Sequence, residues 1–114
     1  MVRILAQQVI IAREKLVRYL LVYRPRSDKS KFLARAGFTQ DNPEELEIAI
    51  RQHIEEHEAV EDQHDEYGRF YRVEGDIVGV NGVRLAVVTI WVAPAGQTEM
   101  FRFITLKPGS GGRQ

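Results

Sequence analysis

Residues 84–92 read R-L-A-V-V-T-I-W-V, and the fold turns on this run. Its β-branched and aromatic side chains, with a charge only at the first position, suit a strand covered on both faces. A place at the centre of a sheet is therefore expected. Upstream, Tyr71, Val73 and Ile77 alternate with Arg72, Glu74 and Asp76, the period-2 pattern of a strand with one buried and one wet face. Asn81-Gly82 lies between the two runs and tolerates the positive φ that a tight hairpin demands. Downstream, Pro94-Ala95-Gly96-Gln97 forms a second turn cluster. Residues 100–107 then set Phe101, Phe103 and Thr105 against Arg102, Ile104 and Leu106, which reads as a third strand. Tyr67 to Pro108 is thus expected to be an antiparallel meander.

The part of the chain before the meander reads as helical. Ile4 to Ile11 is either a short edge strand or the lead-in to a helix. From Ala12, the residues Leu16, Tyr19, Leu20 and Tyr23 share one face at helical spacing, and Pro25 ends the helix. Ser27 or Asp28 caps a second helix with Phe32, Leu33 and Ala36 as its apolar stripe. Gly37 is placed to stop it as a left-handed C′ residue, with Phe38 folding back on Leu33. Asn42-Pro43-Glu44-Glu45 starts a third, with Asn42 as N-cap and Glu45 reaching back to the cap amide. This helix buries Leu46, Ala49, Ile50, His53 and Ile54 and is expected to run to about Glu58, after which residues 61–66 read as an exposed acidic loop. The predicted fold is α+β: two to three N-terminal helices packed on one face of a C-terminal antiparallel sheet of three to four strands. Residues 1–108 would form a single domain and the glycine-rich residues 109–114 a flexible tail.

The formal net charge of zero hides a bipolar chain. Residues 1–38 carry nine Lys/Arg against two acids, residues 39–66 carry eleven acids against Arg51 alone, and the remainder is mildly basic. Such a layout either presents a basic face to phosphate or cancels where the acidic helix lies on the basic one. The chain has no cysteine, which removes thiol catalysis and disulfides and agrees with a reducing, cytoplasmic location. No apolar run approaches the ~18 residues that span a bilayer, so no membrane role is expected.

His53-Ile54-Glu55-Glu56-His57 formally fits the H-x-x-E-H pattern of inverted zinc proteases, but those enzymes need a third ligand from a second long helix. A core His53 and a surface His57 account for the pair better, and neither a metal nor another cofactor is expected. No phosphate-binding glycine loop or nucleophile elbow occurs. What remains is a polar and aromatic set along the strands, Tyr67, Arg69, Tyr71, Arg72, Thr89, Trp91, Arg102, Thr105 and Lys107, with Lys29 and Lys31 at the start of the second helix. Cations that neutralise phosphate interleaved with rings that stack on bases make an adequate RNA surface. Tyr71, Thr89 and Trp91 have an equally simple reading as core or cross-strand pairs.

Lys29-Ser30-Lys31-Phe32-Leu33 through Gly37-Phe38, then Tyr67-Gly68-Arg69-Phe70-Tyr71, Val88-Thr89-Ile90-Trp91 and Arg102-Phe103-Ile104-Thr105 ending at Pro108 resemble the ordered blocks of an uncharacterised bacterial family. That domain of unknown function occurs as small stand-alone proteins and at the ends of toxin-like or phage-related ones. The chain departs from its pattern in having Arg24-Pro25-Arg26-Ser27 where relatives have His-Pro and a glycine, and Lys107 where they often have tyrosine. In layout the chain is more distantly similar to barnase, colicin and RelE-like toxin ribonucleases. That likeness implies a metal-independent ribonuclease site with Lys29 and Arg102 as cations, Tyr71, Tyr67 or Lys29 in proton transfer and Thr105 on a phosphate oxygen. Lys31, Tyr67, Arg69 and Thr89 would contact the nucleic acid. The competing expectation is a non-enzymatic module that binds a protein partner, such as an antitoxin or a second copy of itself. A cleft shared by Lys29, Arg102 and Tyr71 would favour RNA, and their dispersal a protein interface.

Overall fold

The computed structural model describes residues 4–21, 29–96 and 100–109. Its centre is the run that opens the sequence argument: β4, Arg84–Pro94, lies between β3, Gly68–Val78, and β5, Phe101–Pro108. Both pairings are antiparallel. Leu85, Val87, Thr89 and Trp91 are buried toward the main core, while Val88 and Val92 are buried on the other side. The meander is as expected. Its first hairpin closes through Asn81-Gly82: the Gly82 N–H donates to the Gly79 carbonyl, and Gly82 takes φ 86°.

The sheet has five strands rather than three to four, and it is mixed. One added strand is β1, the two residues Val9–Ile10, which pairs in parallel with Phe101 and Arg102 at the outer edge of β5. The other is β2, Ala59–Asp65, where an acidic loop was expected. Only Ala59 of it is buried, so it shows no apolar alternation to read. It is held by its backbone ladder to β3.

A bulge changes the sidedness of β5. Ile90 faces Thr105 and Trp91 faces Phe103, leaving Ile104 without a counterpart. An extra residue of this kind shifts the alternation of everything beyond it. Phe101 and Phe103 face the core together, but Leu106 rather than Thr105 continues their face and is fully buried.

Ahead of the sheet, a short 3-10 turn, Ala6–Gln8, leads into β1, and helical residues follow to Leu20. Lys15–Leu20 is wound as a π-helix, with the Leu21 N–H donating to Leu16 O at 3.0 Å. An i→i+5 turn advances less per residue than an α-turn. Leu16 and Leu20 therefore share the buried face while Tyr19, expected beside them, stays exposed. Pro25, Tyr23 and the Ser27/Asp28 cap lie outside the described residues.

Helix α1, Lys29–Ala34, ends as expected: the Phe38 N–H donates to Leu33 O and the Gly37 N–H to Ala34 O, with Gly37 at φ 88°. Helix α2, Pro43–Glu56, starts at Asn42, but its capping box does not form. The Asn42 side chain turns backward instead, accepting from the Thr39 N–H and donating to Gly37 O. The helix stops two residues short of Glu58 because His57 is extended, its Nδ1 2.9 Å from the carbonyl of His53.

Leu46, Ile50 and Ile54 of α2, Leu33 of α1 and Leu16 and Leu20 of the π-helix all join the core with the inward side chains of the sheet. The acidic and basic regions do touch, through an exposed ion pair from Arg13 to Glu44 at 2.8 Å. The hydrogen bond and charge of Arg13 hold the Glu44 carboxyl below its ordinary range.

Candidate functional site

The short length of β1 creates the site. It covers β5 only as far as Arg102, and beyond that point the outer edge of β5 has no strand partner among the described residues. The π-helix and the start of α1 cross there and leave a cleft of about 370 Å³ lined by Lys15, Tyr19, Leu20, Lys29, Phe103, Ile104 and Thr105. The Lys15 ammonium donates to the carbonyl of the bulged Ile104 at 3.1 Å. The Lys29 ammonium donates to Thr105 Oγ1 at 2.9 Å. Because Thr105 has been displaced from the core by the bulge, its hydroxyl is available at this edge.

Partial burial depresses the Lys29 pKa, and the nearby positive charge of Lys107 depresses it further. Each ammonium carries three donors and uses one on the protein in the bonds just described, so the cleft can offer its remaining donors to an anion. Leu20 and Phe103 give it an apolar floor, and Tyr19 sets a ring at its rim. A phosphate flanked by a base or sugar matches this mixture of donors and apolar surface.

Of the residues assigned to the ribonuclease site from the sequence, the fold brings Lys29 and Thr105 together in the cleft and places Tyr71, Arg102, Tyr67, Arg69, Thr89 and Lys31 outside its lining. Tyr71 is 8% exposed and packs edge-on to Phe101 with ring centroids 5.5 Å apart. Thr89 is fully buried. Its hydroxyl accepts from the Trp91 indole N–H at 2.9 Å and lies 3.1 Å from His53 Nε2. Arg102 is exposed on β5 but does not line the cleft. Tyr67 is exposed in the β2–β3 turn, Arg69 pairs with Glu61 at 3.8 Å, and Lys31 is exposed on α1.

Sequence reasoning missed Lys15 and Tyr19. Their i, i+4 spacing on a helix was the available signal, but nothing local shows that β5 passes beneath them. His53 is buried, with Nδ1 near the Asp76 carbonyl and Nε2 near the Val73 carbonyl and the Thr89 hydroxyl, and the His57 ring lies over Gly75. Among the described residues no three His, Cys, Asp or Glu side chains cluster as metal ligands, and no helix is long and apolar enough to cross a membrane.

Comparison places this arrangement among known folds. The structure is similar to a chain solved in a contact-dependent growth inhibition toxin–immunity protein complex from Klebsiella pneumoniae 342, with a TM-score of 0.67 and 20% identity over 88% of this chain and 99% of that one. At that identity the likeness is one of fold. No curated protein matches the chain. A family model covers residues 5–110, nearly the whole chain and all of the blocks quoted above. The chain belongs to the family described as Domain of unknown function (DUF6883).

Proposed function

We propose that this chain is a toxin-like domain that binds RNA in the cleft between the π-helix, α1 and β5 and cuts a phosphodiester there without a metal. The observation that carries the reading is the convergence of Lys15, Lys29 and Thr105 at the edge of β5 beyond β1. In such a reaction the ribose 2′-oxygen attacks phosphorus, the bond to the 5′-oxygen breaks, and a 2′,3′-cyclic phosphate and a 5′-hydroxyl result. A lysine with a depressed pKa supplies a neutral fraction that can take the 2′-hydroxyl proton. The Lys15 ammonium returns a proton to the leaving oxygen and offsets charge on the phosphorane. The Thr105 hydroxyl holds a non-bridging oxygen, and Tyr19 stacks on a flanking base. In this reading Lys15 takes the cationic role that the sequence suggested for Arg102, and the proton transfer suggested for Tyr71 falls to Lys29 and Lys15.

The test is cleavage of mixed RNA in EDTA by the wild type and by Lys15→Ala, Lys29→Ala and Thr105→Val. Loss of at least about 100-fold in Lys29→Ala is expected, the range of a positioned proton-transfer group. Equal cleavage by wild type and Lys29→Ala sinks the reading.

A protein-partner reading has its own support in β2. It is the outer strand of the sheet, exposed along six of its seven residues, with Glu61, Asp62 and Asp65 on it and Glu58 and Glu66 flanking. A second copy would set like charges side by side, so a partner that offers a basic strand, such as an antitoxin, fits the edge better than self-pairing. Sedimentation of the purified protein should accordingly show a monomer at low salt. A dimer that dissociates in Val60→Lys would reverse the preference.

A further inference from the structure

A second recess lies at the far end of α1. Its volume is about 490 Å³, and its lining includes Phe32, Arg35, Asp76, Arg84 and Pro108. The two arginines come from the turn after α1 and from the start of β4, 49 positions apart in the chain, so no local pattern pairs them. Both are exposed, and neither forms an ion pair among the described residues. The Arg35 guanidinium lies over the Phe32 ring at 5.9 Å from its centroid, where a flat cation and a ring together offer stacking surface.

The two recesses are joined by the same pair of elements. Lys29 of the first and Arg35 of the second are six residues apart along α1 and the turn that follows, about 9 Å of helical rise. Thr105 and Pro108 are three apart on β5, about 10 Å of strand. Between them Lys107 is exposed on β5, close enough to Lys29 to disfavour its charge. The cations Lys15, Lys29, Lys107, Arg35 and Arg84 therefore follow one path, from the edge of β5 beyond β1 round to the end of the sheet.

We infer that Arg35 and Arg84 form a second phosphate site for the same nucleic-acid strand, so that the ligand is a single-stranded RNA segment running from one recess to the other. This rests on the RNA reading of the first cleft. A single strand is favoured over a duplex because the second recess pairs its cations with the ring of Phe32 and the carboxylate of Asp76. These can meet a base face and a base amino group only where bases are unpaired. Separation by about 10 Å also exceeds what one bound phosphate requires, so a mononucleotide would engage either end but not both.

The test is fluorescence anisotropy with a labelled single strand of about ten nucleotides, a labelled dinucleotide and a duplex of the same sequence, each over a range of salt. The proteins are the wild type, Arg35→Ala/Arg84→Ala and Lys15→Ala/Lys29→Ala. Both arginines are exposed, and a melting curve for each variant confirms that it is folded. The arginine double variant is expected to bind the long strand about 10- to 100-fold more weakly. Its log–log salt slope should fall by about 1.4, two phosphates at about 0.7 each. Its affinity for the dinucleotide, which the first cleft still holds, should fall by no more than about twofold, the loss of one of two alternative sites. If the arginine variant binds the long strand like wild type while the lysine variant does not, the second site is overturned and the first stands. Equal wild-type affinity for duplex and single strand overturns the choice of ligand. No wild-type binding to any of the three overturns both readings.

Discussion

Thr89→Val removes one oxygen from a fully buried polar side chain. Thr89, His53 and Trp91 are each at most 1% exposed, so water cannot replace what is lost. The hydroxyl accepts the Trp91 indole N–H at 2.9 Å and stands 3.1 Å from His53 Nε2. Nε2 keeps the Val73 carbonyl at 3.3 Å, but the indole keeps nothing that the structure shows. An orphaned buried donor costs about 1–3 kcal/mol, and the methyl that replaces the hydroxyl returns somewhat under 1 kcal/mol of apolar burial. The net destabilisation is therefore about 1–2 kcal/mol, or a fall of roughly 4–10 °C in Tm for a domain near this size. Thermal unfolding at neutral pH, followed by far-ultraviolet circular dichroism, measures it directly. A cycle with Trp91→Phe isolates the bond: once the indole N–H is gone, Thr89→Val should cost about 1 kcal/mol less. A Tm for Thr89→Val within 1 °C of wild type, or strict additivity in the cycle, would refute the account of the buried triad; about 1 °C is well below the shift expected for an orphaned donor.

Three further outcomes follow from the same structure. Burial holds the His53 pKa below its ordinary 6.5, so the unfolded chain takes up a proton that the folded one refuses. Stability is then complete above about pH 6.5 and falls on acidification by up to about 1.4 kcal/mol per pH unit. Urea midpoints between pH 7 and 5 should decline in the wild type and decline less in His53→Gln; parallel lines would count against it. Leu106→Ala should cost about 3 kcal/mol because Leu106 is fully buried, whereas Thr105→Val should cost under about 1 kcal/mol. The reverse order in chemical denaturation would restore the unbulged alternation. Gly37→Ala forces a Cβ into a residue at φ 88° and to 3.3 Å from Val80 Cβ. It should lower stability by about 1–2 kcal/mol, and an unchanged midpoint would show that the helix stop relaxes.

How far the sequence could be read depended on whether the deciding physics was local. The 84–92 run, the Asn81-Gly82 hairpin and the Gly37-Phe38 helix stop all depend on neighbours a few residues away, and all are present. What escaped depends on partners far along the chain. Strand β2 carries almost no apolar residues and is a strand because β3 offers it a ladder. Strand β1 is two residues long and exists only against β5. The bulge at Ile104 reverses the sidedness of Thr105 and Leu106 with no glycine or proline to announce it. The candidate site was half legible for the same reason. Lys29 and Thr105 stood out as polar residues in patterned blocks, but Lys15 became part of the cleft only through a strand 89 positions away. Tyr71 and Thr89 have side chains that serve a core and a binding surface equally well on paper, and burial decided between them.

The bonds that close the cleft bridge 76 and 89 positions of chain, whereas the β3–β4 hairpin joins neighbours across a five-residue loop. Loops that long are costly to close and make slow contacts. The meander is therefore expected to assemble first and the cleft last, when the N-terminal segment docks on β5. Pulse-labelled hydrogen exchange would show this as early protection of β3 and β4 and late protection of β1 and the π-helix; simultaneous protection would contradict it. A chain cut short before Phe101 would retain the hairpin yet lack one wall of the cleft. The chemistry proposed for this fold would then stay silent in an unfinished copy and begin only when the two distant parts of the chain meet.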